Sequence, residues 1–266
     1  MTLGTDWLGL KDRVAAVTGA GGGIGAAIAL ELARNGVRIA ALDINEDGAR
    51  NTAARAADFG SDAIGLKIDI SDRSSVSAAA DQVLAKYGPV DILINNAGVM
   101  RPGELADIAI EDWQTVLDVN LTGYLLCSRA FGAGMRERGQ GSIVHISSIS
   151  ATHPQAASGA YSPSKAAVSM LSRTLAFEWG PSGVRSNVVA PGMTRTPLTE
   201  NFYQAPGVLK ARSAVVPLRR VGAPQDLAEA CTWLASDRSA YVTGQEITVD
   251  GGFSQSLMSH VPRPGY

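Results

Sequence analysis

Apolar positions along the chain change period in a repeating order. Short runs of β-branched and other apolar residues alternate with stretches whose apolar positions recur at helical spacing, as strand–helix units around a parallel sheet do. Seven strands are predicted, at 13–18, 37–43, 63–69, 91–95, 141–147, 184–189 and 245–249. Several are nearly continuous apolar runs, as strands covered on both faces should be. The pattern therefore predicts an α/β fold: one domain over 1–266, a doubly wound seven-stranded parallel sheet with helices on both faces.

Between the third and fourth strands, Val76, Ala79, Ala80, Val83, Leu84 and Tyr87 mark a crossover helix, with Ser71 placed to cap it. Longer helices are predicted over 110–136 and 160–179, and a shorter one opens at Pro224, where proline suits a first helical turn. The stretch 192–222 holds Pro197, Pro206 and Pro217 and keeps no clean period, so it reads as an excursion from the core, placed to act as a substrate lid. The tail, 253–266, is irregular as well.

Composition removes several function classes. The 266 residues are 45% hydrophobic and 18% charged, with a mean hydropathy of +0.07, which excludes a disordered chain, a coiled coil and a disulfide miniprotein. A domain of this length buries about three quarters of its unfolded surface. With 23 Lys+Arg against 25 Asp+Glu, net charge −2, there is no basic footprint for nucleic acid or anionic lipid. Cys127 and Cys231 are too few for a zinc cluster and too far apart in sequence for a redox pair. No metal is expected, and a reducing, cytoplasmic setting is. The first residues carry Asp6, no early basic residue and no long apolar run, unlike a signal peptide. The charge-free stretch 14–30 holds five glycines and makes a poor membrane span.

The first strand runs straight into Thr18-Gly19-Ala20-Gly21-Gly22-Gly23-Ile24-Gly25 and then into a helix. Glycines at a strand–helix turn permit tight backbone geometry and close approach of a ligand, while the helix N-terminus offers free N–H groups to a pyrophosphate. Alone, such a cluster is more often just a flexible turn. Asp43 changes that reading: it ends the second strand 18 residues beyond Gly25, near the roughly 20 expected of the carboxylate that holds an adenosine ribose. An acid accepts hydrogen bonds from the ribose hydroxyls, would repel a 2′-phosphate, and meets no basic residue in the turn. NAD is therefore the expected cofactor.

Tyr161-Ser162-Pro163-Ser164-Lys165 opens a predicted helix, so that Tyr161 and Lys165, four apart, share one face. Ser148 lies 13 residues upstream of Tyr161 at the carboxyl end of the fifth strand, the edge where open α/β sheets place ligands. A free tyrosine titrates near pH 10, and a neighbouring cation, here Lys165, favours the phenolate and moves it toward neutrality. Ser148 is placed to donate a hydrogen bond to a substrate oxygen on which charge develops.

With these residues in view the chain resembles the short-chain dehydrogenase/reductase family over about 10–252. The motifs that carry the resemblance are Thr18 to Gly25, Asp69-Ile70, Asn95-Asn96-Ala97-Gly98, Asn120, Ser148, Tyr161 with Lys165, and Pro191-Gly192, in that order. The resemblance implies a Rossmann-type sheet and Tyr161 as acid/base, with Lys165 binding the nicotinamide ribose, Ser148 orienting substrate and Asn120 supporting a proton relay. It further implies that Gly19, Gly23, Ile24 and Gly25 form the dinucleotide turn. Asp69 and Ile70 would contact adenine, Asn96 and Gly98 would line the groove, Pro191 would belong to the cofactor site, and Thr194 would reach the carboxamide. Homotetramers are usual in the family.

The expected activity is NAD-dependent interconversion of a secondary alcohol and a ketone by hydride transfer, on a polyol, sugar, dihydrodiol or similar alcohol. A 3-oxoacyl-thioester reductase and a non-catalytic NAD-binding sensor or scaffold are the alternatives. His145, inside a strand, reads as an interior histidine. His153 and Gln155 lie in a turn that could touch substrate, Met193 and Met258 read as loop or core filling, and Arg219 and Arg220 as a solvated pair.

Overall fold

The computed structural model describes residues 6–197 and 199–261. Seven strands, β1 (Val14–Thr18), β2 (Arg38–Asp43), β3 (Ala63–Lys67), β4 (Ile92–Asn95), β5 (Gly141–Ile146), β6 (Val184–Pro191) and β7 (Glu246–Val249), form one parallel sheet in the order β3-β2-β1-β4-β5-β6-β7. The order reverses between β1 and β4, where the chain leaves one half of the sheet for the other. A crevice opens at such a switch point beyond the carboxyl ends of the strands.

Alternate residues of each strand feed two apolar layers. Ala15 and Val17 of β1 join Ile28, Leu32, Leu227 and Leu234, which belong to helices α1 (Gly23–Arg34) and α9 (Pro224–Ala235). Val14 and Ala16 join Val83, Tyr124, Phe131 and Leu175 on the other face. Those side chains come from α3 (Arg73–Tyr87), α5 (Gly123–Arg138) and α6 (Tyr161–Trp179), while α2 (Glu46–Ala57) packs beside α1. The central strands are buried end to end, as the apolar runs require, whereas the edge strands β3 and β7 are only part-covered.

Several predicted boundaries move, each for a local reason. β3 stops at Lys67 because the N–H of Asp69 bonds the Ser75 hydroxyl at 2.9 Å, which turns the chain out of the ladder. The cap of α3 is Asp72, whose carboxylate accepts from the Ser74 N–H at 2.9 Å. Ser71 bonds back to the Asp69 carboxylate instead, through its N–H at 2.9 Å and its hydroxyl at 2.6 Å. The helix predicted over 110–136 is interrupted: α4 (Ile110–Leu117) passes through a π-helical turn, Asp118–Thr122, before α5 begins. The segment 192–222 contains two short helices, α7 (Glu200–Tyr203) and α8 (Val208–Val215), separated by Gly207 at φ +80°. Each is too short to impose a readable period. The tail makes 3-10 turns at Phe253–Gln255 and Leu257–His260, and its last residues, 262–266, lie outside the described ones.

Candidate active site

The carboxyl ends of β1, β4, β5 and β6 border a cleft of about 810 Å³. Gly19, Gly23, Ile24, Asp43, Asp69 and Ile70 line one end of it. Asn96, Gly98, Ser148, Tyr161 and Lys165 continue along its floor, and Pro191 and Thr194 close the side nearest the 192–222 segment. Two of the predicted catalytic and cofactor-binding residues are not walls of the cleft. Gly25 is packed into the turn, and Asn120 is fully buried behind it.

The glycine turn is fastened on both sides. Asn96 donates from Nδ2 to the carbonyls of Thr18 and Gly19 at 3.0 and 3.1 Å, and its own N–H bonds the Thr18 hydroxyl at 3.0 Å, tying β4 to the turn after β1. On the other side the Asp43 carboxylate accepts from the Gly21 N–H and the Asn45 N–H, both at 2.8 Å. Gly19 takes φ +66°, where a Cβ would meet the Asn96 amide at 2.7 Å. A Cβ on Gly25 would be driven into the Gly19 carbonyl oxygen.

The cleft fits a dinucleotide. The first turn of α1 leaves N–H groups without intrahelical partners, and the glycine before it, Gly22, has nothing within 4 Å of where a Cβ would stand. Along the floor, a Cβ on Gly98 would lie 3.2 Å from Asn120 Oδ1 and 3.5 Å from Lys165 Nζ. A side chain there would block the approach to the ammonium that the bare glycine leaves open.

The catalytic candidates converge at the start of α6. Tyr161 and Lys165 occupy its first two turns, and Ser148 follows β5 as the cap of a 3-10 turn, its Oγ accepting from the Ser150 N–H at 3.1 Å. Burial raises the Tyr161 phenol, and a hydrogen bond from Ser148 acts in the opposite direction. The sequence assigned that lowering to Lys165. Here Lys165 Nζ donates to the Ile146 carbonyl at 2.8 Å and to the Tyr124 hydroxyl at 3.4 Å. It stands 5.7 Å from the Tyr161 ring centroid, and burial pushes its ammonium down to about 7.

Asn120 owes its burial to the π turn, because the extra residue in that turn rotates the helix and redirects the side chain inward. Its Oδ1 accepts from the Val99 N–H at 2.9 Å, while Nδ2 donates to the Val99 carbonyl at 3.0 Å and to Ser164 Oγ at 3.1 Å. Ser164 in turn donates to the Tyr161 carbonyl at 2.7 Å, so the amide supports the first turn of α6. Beneath this layer, His145 is fully buried between Asn95 Nδ2 and Ser186 Oγ, each at 3.2 Å. Burial first, and then the Lys165 charge, push the imidazole down to about 3, as suits an interior histidine.

His153, Gln155 and Met193 line the cleft as well, whereas Met258 is exposed outside it. The pair Arg219 and Arg220 is not merely solvated. Arg220 forms a two-point bond to the Asp226 carboxylate at 2.7 and 2.6 Å, and Arg219 donates to the Ala214 carbonyl at 2.5 Å. Sequence reasoning missed Tyr124, which carries the second polar contact of Lys165 from one helix earlier. It also missed Phe202, Tyr203 and Arg212, which α7 and α8 bring to the cleft. The only available signal was an aromatic pair and an arginine inside an aperiodic stretch.

The family model described as enoyl-(acyl carrier protein) reductase matches residues 19–254. D-threitol dehydrogenase of Mycolicibacterium smegmatis is 40% identical over 245 residues, covering 92% of this chain and 94% of its own. 3beta-hydroxysteroid dehydrogenase 1 of Eggerthella lenta is 38% identical over 247 residues, covering 92% and 95%. Among solved structures, that of gox2181 superposes with a TM-score of 0.89 at 35% identity, covering 94% of this chain and 98% of the other.

Proposed function

We propose that this chain, which belongs to the short-chain dehydrogenase/reductase family, is an NAD-dependent dehydrogenase of a secondary alcohol that uses Tyr161 as its acid/base. The chain is an oxidoreductase acting on CH–OH groups. The observation that carries the reaction is the convergence of Ser148, Tyr161 and Lys165 on one wall of the cleft. The observation that carries the cofactor is Asp43. Its carboxylate is already held by two backbone N–H groups at the adenosine end, where a 2′-phosphate would meet like charge.

When bound, the nicotinamide supplies the hydride acceptor. The chain's own residues do the rest. Tyr161, as the phenolate, takes the hydroxyl proton; burial raises its phenol, and the hydrogen bond from Ser148 lowers it against that larger effect. When substrate enters, the single Ser148 O–H turns from the phenol to the substrate oxygen. Lys165 is placed to hold the nicotinamide ribose, and Asn120, through Val99 and Ser164, fixes the backbone on both sides of a proton exit. Gly19, Gly23 and Ile24 receive the pyrophosphate, with Gly25 packed behind them to shape the turn. Asp69 and Ile70 receive the adenine, Asn96 and Gly98 the middle of the cofactor, Thr194 the carboxamide, and Pro191 borders the same end.

The same reading takes 1–266 as one domain and 192–222 as a lid that excludes water on closure. It also includes a homotetramer, which the exposed Met170 and Phe177 on α6 favour, and a cytoplasmic location. No helix among the described residues is long and apolar enough to cross a membrane. A 3-oxoacyl-thioester reductase is the weaker reading, because that activity usually goes with NADP and Asp43 opposes it. A non-catalytic binder has no need to retain Ser148, Tyr161 and Lys165 together.

The test follows NADH appearance across polyols, sugars, dihydrodiols, steroids, simple secondary alcohols and 3-hydroxyacyl thioesters, with NADP in parallel. Tyr161→Phe should lower turnover by about 10²–10⁴-fold while NADH still binds. Retained turnover in that variant would refute the acid/base assignment, and a preference of the wild type for NADP would refute the cofactor assignment.

A further inference from the structure

We propose that the lid end of the cleft is a carboxylate-recognition subsite built by Arg212 and Tyr203, and that the alcohol substrate is a hydroxy acid. The inference rests on the dehydrogenase reading above and narrows its substrate class. Two observations carry it.

The first is an uncommitted guanidinium. Among the described residues, Arg195 and Arg220 of this region are taken up by Glu200 and Asp226 in two-point ion pairs. Arg212 has no such partner. Its guanidinium lies over the rings of Phe202 and Tyr203, 5.4 and 5.0 Å from their centroids. With no carboxylate bound to them, its N–H donors remain for a planar acceptor. The charges along the cleft are also polarised. The acids in its lining, Asp43 and Asp69, stand at the adenosine end, whereas the lid end has Arg212 and no carboxylate.

The second is a stranded hydroxyl. Tyr203 lines the same cavity and is more than nine-tenths buried, yet its phenol oxygen, buried too, has no hydrogen-bond partner. A buried hydroxyl without a partner is costly and calls for an explanation. Here the guanidinium lies over the ring that carries the phenol, and an acceptor that enters beside Arg212 would serve both once the buried hydroxyl turns to meet it. A carboxylate fits that pair: it is planar, accepts two N–H bonds side by side, and keeps lone pairs for an O–H donor. Its single negative charge matches that of the Arg212 guanidinium. A phosphate dianion would exceed it, and a neutral polyol would leave the guanidinium charge unanswered.

The experiment compares matched charged and neutral ligands. Linear secondary hydroxy acids from 3-hydroxybutanoate to 6-hydroxyheptanoate are assayed with NAD beside their primary amides, so that the spacing of carbinol and carboxylate is scanned with them. In parallel, the corresponding keto acids and keto amides are titrated calorimetrically into the NADH complex. The wild type should favour acid over amide by about tenfold to a hundredfold in kcat/KM, through KM, and in binding. Arg212→Gln should bring that ratio to within about threefold, Arg212→Lys should keep part of it, and Tyr203→Phe should lower it by less than Arg212→Gln does. Reading the ratio removes any loss common to both ligands, and melting temperature and NADH affinity confirm that each variant is folded.

The two readings fail separately. Oxidation of acids and amides with equal efficiency, or an Arg212→Gln variant that keeps the full preference, overturns the subsite and leaves the dehydrogenase standing. If nothing in this series is oxidised but the keto acid outbinds the amide and Arg212→Gln erases the difference, the subsite holds, and the dehydrogenase reading falls if the wider alcohol panel is silent too. Equal binding with no oxidation overturns the subsite, and the same wider panel decides the dehydrogenase reading.

Discussion

The two ends of the cleft are built on different principles. At the adenosine end the binding surface is backbone: a glycine turn held in place by Asn96 on one side and Asp43 on the other, with the first turn of a buried helix behind it. At the lid end it is side chains on α7 and α8, of which α8 buries no residue at all. A backbone surface tolerates little change but recognises what many molecules share. A surface of exposed side chains can be altered without loss of the fold, and it is where a substrate is told apart from its relatives.

The contrast predicts a graded set of responses. The largest belongs to Gly25→Ala, whose Cβ would collide with the Gly19 carbonyl oxygen and come within 2.5 Å of the Asn96 amide. Overpacking of this kind costs about 1–3 kcal/mol or more. We expect the melting temperature to drop by about 5–10 °C and calorimetric NADH binding to be lost together with it. A variant that melts with the wild type and binds NADH normally would show that the turn is not rigid, and the comparison would lose its first half.

Asp43→Ala comes next. It removes an acceptor from two backbone N–H groups and a negative charge from the adenosine end. NADH affinity should weaken by about tenfold to a hundredfold while NADPH affinity improves, as direct titration of both reduced cofactors would show. If the two weakened equally, Asp43 would be a structural fastener of the turn and would select nothing.

Between the two ends, titration is the sensitive probe. Because the Ser148 hydrogen bond lowers the Tyr161 phenol against the burial that raises it, Ser148→Ala should move the alkaline rise of alcohol oxidation to higher pH, besides lowering the rate. An unmoved limb in the pH profile of kcat/KM would mean that another group sets it. Lys165 gives a stability effect of definite sign. Its folded pKa of about 7 lies below the ordinary lysine value, so between pH 7 and about 10 the unfolded chain binds the extra proton and stability rises with pH. That contribution is lost as pH falls through 7. Lys165→Met should flatten the slope, by at most about 1.4 kcal/mol per pH unit, in denaturant titrations at stepped pH.

What the sequence made legible follows the same division. The seven strands, the glycine turn and the Tyr161–Lys165 spacing are set by local periodicity and by fixed offsets along the chain, and a reader of one sequence has access to both. Asn120 was legible as a motif and as an amide beside the apolar face of Trp113, Val116, Leu117 and Leu121, whereas its burial in a π turn was not. The π turn in the run from Ile110 to Arg136 was not read, because the register shift made by one extra residue is hard to tell from ordinary scatter among so few apolar positions. The cap of α3 moved by one position because Ser71 and Asp72 are both good caps, and the bond from Ser71 to Asp69 decided between them. Arg212 and Tyr203 were illegible for a stronger reason. Their proximity depends on how two short helices fold back on either side of Gly207, a tertiary fact with no period to announce it.

The smallest effect sharpens the comparison most. Phe202 lines the cleft and is 46% exposed, and the guanidinium of Arg212 rests on its ring. Truncation to alanine leaves no closed cavity, since one side of the ring already meets solvent, so the stability cost should stay near 0.5 kcal/mol. The guanidinium loses one of its two aromatic platforms, a contact worth about 0.5–1 kcal/mol at an exposed site. KM for the alcohol should then rise by roughly threefold, with NADH affinity and melting temperature unchanged within error. Such a result separates the two ends energetically: the lid reads substrate without taking part in holding the cofactor. If Phe202→Ala instead weakened NADH binding as much as it raised KM, the lid would belong to the cofactor surface, and the division drawn between backbone and side-chain recognition would have to be moved from β6 to somewhere within α7 and α8.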